Sequence, residues 1–273
     1  MTALFKILML FTVSLNFAWA QTPALKADAL KLWEKRDVAE SLSEAIKKFE
    51  ELHKAAPTDT EYLVYLTRGH LLMGDYHVDN KDDKLKQFEK AFSYGDKALE
   101  TNSEYAARIK KNDEVKHAVK ALGVNEVPQM YWTAASLGKF AKANGILASL
   151  KYKNKILALI SRVEDLKPDY FFGAVDRYWG SYYAAIPSLA GKDLKKSKKH
   201  FEKSLTMAPE YLGTKVLKAE IYSVEKDDKN EFKTLLNEVI SDSKYDSHPE
   251  LGPENRMEKI KAKKVLDNQG EYF

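Results

Sequence analysis

The spacing of apolar and small residues along this chain repeats in the manner of paired amphipathic helices. Segments 45–57, 156–168 and 197–209 share one spacing. Each begins with a small or aliphatic residue and has a large apolar residue four positions later. Another small or aliphatic residue follows after three more positions, and proline after five more. Segments 91–103 and 232–244 repeat the spacing without the proline. In tetratricopeptide-type repeats the small positions let two helices approach, the large residue packs on the next hairpin, and proline ends the helix.

This spacing predicts an all-α fold in which antiparallel helical hairpins stack as an irregular, tetratricopeptide-like solenoid. The predicted pairs are residues 25–36 with 41–55, 60–76 with 84–100, 127–150 with 153–166, 171–190 with 194–208, and 210–225 with 229–241. An extra basic helix is predicted at 104–122, and Pro253 opens a last helix, 254–266, expected to cap the array. We expect one domain over residues 21–273. The alternative is a set of generic amphipathic helices with prolines at chance positions.

The N-terminal segment has a different pattern, typical of a secretory signal. Lys6 precedes an apolar run at residues 7–20, which ends in Ala18-Trp19-Ala20, the small-x-small form of a cleavage site. The run is shorter than the ~20 apolar residues of a membrane span. We therefore expect a signal peptide, residues 1–20, cleaved after Ala20, and a periplasmic protein.

Composition limits the covalent chemistry and the partners. The chain has no cysteine, so it cannot be a lipoprotein, and we expect no direct membrane anchor, no disulfide and no thiolate metal site. Its formal net charge is only +4, which together with export argues against a nucleic-acid partner. The densest basic run, 192–203, lies on a predicted helix that also has an apolar face. We interpret this run as a solvated surface rather than a patch for anionic membranes.

The densest aromatic stretch, residues 170–183, surrounds Arg177 with seven aromatic side chains. On a helix these rings fall on two stripes about 100 degrees apart, and a single hairpin contact cannot bury both. We expect one stripe to pack and the other to line a cavity or a subunit contact, with Arg177 able to hold a carboxylate. The alternative is that every ring is core and that Arg177 pairs with Asp176 or Glu202. The candidate ligand- or partner-binding residues are Tyr131, Trp132, Phe171, Phe172, Arg177, Tyr178, Trp179, Tyr182 and Tyr183.

A family resemblance rests on the same region. The sequence FGAVDRYWG at 172–180, followed by Tyr182-Tyr183-Ala184 and Pro187, resembles the signature of the TRAP-transporter T-component family, with similarity over about 128–242. The resemblance implies a periplasmic, all-helical accessory component of a tripartite importer. Such a component docks a solute-binding protein, holds an apolar or carboxylate-bearing ligand in an aromatic cavity, and assembles as a homotrimer. Many members are lipoproteins, which this chain without cysteine is not. The alternative function is a freestanding protein–protein interaction scaffold in the periplasm.

Signals for catalysis or metal binding are weak. The chain has no HExxH, phosphate-loop, dinucleotide or nucleophile-elbow motif. His70 and His77 share one helix face near Asp75 and Asp79, but we interpret them as ordinary surface and groove histidines rather than a metal site. We therefore predict that the protein is not an enzyme and has no cofactor and no metal.

Overall fold

A computed structural model describes residues 22–273, and every regular element in that range is helical, which confirms the all-α prediction. The predicted signal segment and its cleavage site lie outside the described residues. None of the described helices combines the length and apolar character that crossing a membrane requires. The α-helices are α1 (residues 22–33), α2 (Ala39–Ala55), α3 (Thr60–Leu72), α4 (Lys81–Glu100), α5 (Ser103–Lys110), α6 (Val115–Ala118), α7 (Val127–Asn144), α8 (Ile146–Leu166), α9 (Tyr170–Ala185), α10 (Leu194–Met207), α11 (Gly213–Leu217), α12 (Lys229–Ser241) and α13 (Gly252–Asp267).

Helix pairing follows the predicted repeat. Neighbouring helices pack as α2 on α3, α3 on α4, α4 on α7, α7 on α8, α9 on α10, and α12 on α13. The residues at the repeat positions are all buried, as close packing of hairpins requires. They are Ala45, Phe49, Leu52, Ala91, Gly95, Ala98, Ile156, Ile160, Val163, Ser197, Phe201, Ser204, Phe232, Leu236 and Val239.

Left-handed backbone explains two of the differences between the predicted and the observed helix boundaries. The predicted basic helix at 104–122 is broken because Asn112 has φ 57°, so α5 ends at Lys110 and α6 begins only at Val115. The predicted helix at 127–150 ends instead at Asn144, because Gly145 takes φ 96°. Glycine adopts this conformation at no steric cost, and asparagine adopts it more readily than most residues.

Two helices continue as π-helical segments, Met73–His77 after α3 and Lys218–Ser223 after α11. A π turn contains an extra residue relative to the α-helical register, so it rotates the side chains that follow it. These two segments carry Asp75 and Glu220, the acidic residues of an interior charge network described below.

The capping helix α13 joins the two ends of the array. Its Glu254 accepts a hydrogen bond from Nε of Arg36, between α1 and α2, at 2.9 Å, and one from Arg68 of α3 at 3.1 Å. Its Asn255 accepts the Leu212 backbone N–H at 3.1 Å, just before α11. The helix therefore packs on the last hairpin and also contacts the first, so the array closes on itself.

Removal of the Glu254 carboxylate is expected to destabilise the fold severely. Arg36 and Glu254 are both almost fully buried, with side chains 5% and 3% exposed. Breaking such a pair leaves an uncompensated buried charge, which costs about 3–5 kcal/mol. We expect Glu254→Ala to lower the free energy of unfolding by about that amount, measured by urea unfolding followed by circular dichroism. The matched control is Glu89→Ala, at an exposed position on α4. Equal unfolding midpoints for the two variants would contradict the role given to Glu254.

Candidate functional site

Helix α9 begins with a left-handed turn that includes two bulky aromatic residues. Phe171, Phe172 and Gly173 have φ of 42°, 55° and 71°. A left-handed conformation costs an L-residue roughly 1–2 kcal/mol, so the surroundings must stabilise this turn. Arg177 does so, because its guanidinium donates to the Phe172 carbonyl at 2.8 Å and to the Phe171 carbonyl at 3.3 Å.

Arg177 does not make the pairing with Asp176 or Glu202 that one sequence interpretation expected. It is 5% exposed, donates also to the Thr214 hydroxyl at 3.3 Å, and lies 4.1 Å above the Tyr211 ring. Its hydrogen bonds within residues 22–273 go to these neutral oxygens rather than to Asp176 or Glu202. In this arrangement Arg177 positions the aromatic turn that precedes it.

Small residues let α9 and α10 approach closely. The Ser204 hydroxyl donates to the Gly173 carbonyl at 3.0 Å, and the Ser197 hydroxyl donates to the Gly180 carbonyl at 2.6 Å. A methyl group on Gly180 would lie 2.8 Å from the ring of Phe201. The glycines of the aromatic stretch thus serve the contact between these two helices.

A buried carboxylate reinforces the same contact. Asp176 of α9 is 1% exposed and faces α10. One of its oxygens lies 2.8 Å from Nδ1 of His200 and the other 2.9 Å from Nζ of Lys203. Asp176 is thereby compensated by two cationic or polar groups of α10, which a buried carboxylate requires.

Five rings from three parts of the chain form an inner ring cluster around Arg68. Its members are Tyr131, Trp132, Tyr170, Phe171 and Tyr211. Trp132 and Phe171 meet edge to face at 4.7 Å, and Tyr131 meets Tyr170 at 5.4 Å. The Arg68 guanidinium lies 4.5 Å from the Trp132 ring and 5.0 Å from the Phe171 ring, which is cation–π geometry.

The inner ring cluster is a largely apolar site with one cation in it. Burial raises the pKa of Tyr170 to about 12 and also raises the pKa of Tyr211. Arg68 bonds Glu254, but its Nε has no hydrogen-bond partner among the described residues. Phe172 lies beside the cluster, against Phe171 and the His248 ring.

The remaining aromatic candidates lie on the other side of α9 and form an outer ring ladder. Its members are Tyr178, Trp179, Tyr182 and Tyr183, all half-buried. Tyr178 stacks on Tyr182 at 6.2 Å, and Trp179 Nε1 donates to Glu164 of α8 at 2.9 Å. Tyr183 stacks on His200 of α10 at 5.7 Å. The aromatic candidates thus divide between the interior and an outer face of α9.

An interior charge network, absent from the sequence predictions, lies between α3, α7 and α13. Lys139 donates to both oxygens of Asp75 at 2.7 Å, and Lys261 lies 3.1 Å from Glu220. Burial would raise the pKa of Asp75, but Lys139 and Lys261 together hold it well below its ordinary range. Burial raises the pKa of Glu258, which accepts a hydrogen bond from Tyr76 at 2.6 Å. No short motif could reveal this network, since Asp75 and Lys139 are 64 residues apart.

Helix α7 has one glycine position that faces open space. Tyr131, Ala135, Gly138 and Lys142 share one side of this helix, by steps of three and four residues. A methyl group on Gly138 would meet no atom within 4 Å. Gly138 therefore faces open space on the side of α7 that also carries Tyr131 and Lys142.

The two histidines considered as metal ligands have separate partners. His70 Nδ1 lies 2.7 Å from Gln87 Oε1, and its ring stacks on Tyr94 at 5.6 Å. His77 Nε2 lies 2.9 Å from the Arg36 carbonyl. Within residues 22–273, no group of three or more potential metal-ligating side chains comes together.

Comparison with known protein families matches residues 36–273 to the family described as TRAP transporter T-component. The matched region extends from the connection between α1 and α2 to residue 273, so it contains both ring groups and the charge network. It is wider than the resemblance at 128–242. A search of curated proteins gave no match.

Two glycines in helix interiors are expected to respond oppositely to alanine. Gly180→Ala forces a methyl group against Phe201 at 2.8 Å, and overpacking of this kind costs about 1–3 kcal/mol. Gly138→Ala adds a methyl group in open space, and the gain in helix propensity should stabilise the fold by up to about 1 kcal/mol. Thermal unfolding of both variants tests this. The close α9–α10 contact would be refuted if Gly180→Ala were as stable as the parent protein.

The charge network is expected to give stability that is lost in acid. The folded-state pKa of Asp75 lies below its unfolded value of 3.8, so its contribution is complete above that value and disappears as the pH falls below it. Asp75→Asn should cost about 1.5–3 kcal/mol at neutral pH, as loss of charged hydrogen bonds does. It should also flatten the dependence of unfolding free energy on pH below about 4. The control is Asp165→Asn, at an exposed position on α8. If the unfolding free energies of Asp75→Asn and the parent fell equally steeply with pH below about 4, this role would be contradicted.

Proposed function

The chain belongs to the TRAP transporter T-component family, and we propose that it acts as a non-enzymatic, periplasmic accessory component of a tripartite solute uptake system. In this role it docks the solute-binding protein of the transporter and holds an apolar or carboxylate-bearing ligand. The family match over residues 36–273 is the observation that carries the transporter assignment. A homotrimer is the assembly we propose for it.

The ligand site that we propose lies at the inner ring cluster and the open space beside Gly138 of α7. The rings offer apolar walls, while Arg68 retains one N–H without a hydrogen-bond partner among the described residues. Ligand sites generally combine apolar walls with a few convergent polar groups. An apolar molecule with a carboxylate end matches this arrangement, since the carboxylate would accept from a guanidinium N–H.

The docking surface that we propose is the outer ring ladder. Its four rings are half-buried, so each retains surface that a partner could cover. Tyrosine and tryptophan are enriched among the residues that dominate binding energy at protein interfaces. Because Trp179 is held by Glu164 and Tyr183 by His200, the ladder is ordered before a partner binds.

The alternative function, a freestanding scaffold that captures peptides, has less support. In such a scaffold the concave side formed by the first helices of each pair would be open. Here α13 contacts Arg68 of α3 and the backbone of Leu212 just before α11, so it already covers part of these first helices. A peptide would have to displace a helix of the protein itself.

The docking proposal is tested by native mass spectrometry of the mature protein, alone and mixed with a purified TRAP-type solute-binding protein. We expect a complex with the solute-binding protein and weaker binding, by at least about tenfold, for Tyr182→Ala, since interface tyrosines commonly contribute about 2 kcal/mol. Tyr245→Ala, a half-buried tyrosine outside the ladder, is the matched control. Helical circular dichroism should be unchanged in both variants.

The same spectra report on ligand and assembly. A trimeric mass and a co-purifying small-molecule adduct would support the proposed function. A monomer that binds neither the solute-binding protein nor a small molecule would overturn it.

A further inference from the structure

The α7–α8 hairpin differs in charge from the rest of the chain. Between residues 127 and 163 there is no aspartate or glutamate, although the chain contains 40 acidic residues. The same segment contains the basic residues Lys139, Lys142, Lys151, Lys153, Lys155 and Arg162. The low net charge of the whole chain conceals this local excess of positive charge.

The turn of this hairpin exposes three large aliphatic side chains. Gly145 reverses the chain with φ 96°, and α8 begins at the next residue. Ile146, Leu147 and Leu150 are then 66%, 80% and 64% exposed. We call these three residues, together with Lys151 and Lys153, the hairpin tip. Such a group of exposed aliphatic residues is uncommon on a soluble surface unless something covers it.

Lysines flank these aliphatic side chains. At 100 degrees per residue, Ile146, Leu147 and Leu150 occupy one arc of α8, with Lys151 on one side of the arc and Lys153 on the other. Neither Lys151 nor Lys153 forms an ion pair with a described carboxylate, whereas Lys139 and Lys155 are neutralised by Asp75 and Asp96.

We propose that the hairpin tip binds the surface of an anionic lipid bilayer. The aliphatic side chains would enter the boundary between headgroups and acyl chains while the lysines contact lipid phosphates, which is how amphipathic interfacial elements bind. The first turn of α8 contains no acidic residue, so no carboxylate there offsets the positive end of its helix dipole.

The residue types at the tip favour lipid over a protein partner. The centres of protein interfaces are enriched in tyrosine, tryptophan and arginine and depleted in lysine. The exposed tip has instead isoleucine, two leucines and lysines. The outer ring ladder, which we propose as the protein-docking surface, has the opposite composition.

Binding through so small a surface is reversible and sensitive to salt. Three aliphatic side chains insert shallowly, and the lysines act within a Debye length of the lipid surface. Such a contact would keep the protein near a membrane without the lipid-modified cysteine that this chain lacks. The inference does not depend on the transporter role, since it rests on the charge and exposure of one hairpin.

Vesicle co-sedimentation of the mature protein tests the proposal. The vesicles contain either phosphatidylcholine alone or phosphatidylcholine and phosphatidylglycerol in equal amounts. We expect binding to the anionic vesicles only, and a decrease as salt is added. Leu147→Asn should weaken the partition about tenfold, since an inserted leucine contributes on that order. The matched control is Leu189→Asn, at an exposed leucine between α9 and α10, which should bind like the parent.

A site-specific probe makes the test independent of overall affinity. Because the chain has no cysteine, Leu147→Cys and Leu189→Cys each offer a single thiol for an environment-sensitive fluorophore. The label at position 147 should shift to the blue with anionic vesicles, and the label at 189 should not. Absence of vesicle binding, equal binding to both vesicle types, or equal responses at the two positions would each overturn the proposal. So would the finding that Leu147→Asn changes the oligomeric state instead of vesicle binding.

Discussion

The buried contact of Glu254 with Arg36 and Arg68 is the constraint on which the architecture depends. A stack of helical hairpins is by itself open at both ends, and its concave side faces water. Here α13 packs on the last hairpin and carries Glu254 to the first, where two arginines neutralise it. A buried carboxylate is tolerated only with such partners, so α13 has one favourable position. The interior charges of Asp75 and Glu258 depend on this closure for their burial.

Arg68 connects that closure to the aromatic interior. One face of its guanidinium packs on Trp132 and Phe171, while its edge bonds Glu254. Phe171 in turn has its position because Arg177 holds the left-handed turn at the start of α9. Arg177, within the aromatic stretch, and Arg68, outside it, therefore both position Phe171 in the inner ring cluster. A change at Arg68 affects both the last helix and the ring cluster.

The sequence predicted the repeat because hairpin packing is a local requirement. Small and large residues at fixed spacing must be buried wherever two helices approach. Residues such as Ala45, Phe49 and Ser204 are indeed buried. The left-handed turn at Phe171 could not be predicted, since aromatic residues rarely adopt it and its stabilising contacts come from elsewhere. Contacts such as Arg36 with Glu254, 218 residues apart, leave no trace in one sequence.

The site residues show why a specific motif need not mark the functional surface. Gly173, Asp176, Arg177 and Gly180 stand within the most distinctive stretch of the chain, yet each is buried and engaged in holding α9 to its surroundings. Their chemistry is already satisfied inside the protein. Binding requires side chains with surface or hydrogen-bonding capacity left over, and the half-buried rings of the outer ladder retain such surface. Their positions follow from the motif, because the residues that fix one face of α9 also determine what the opposite face presents.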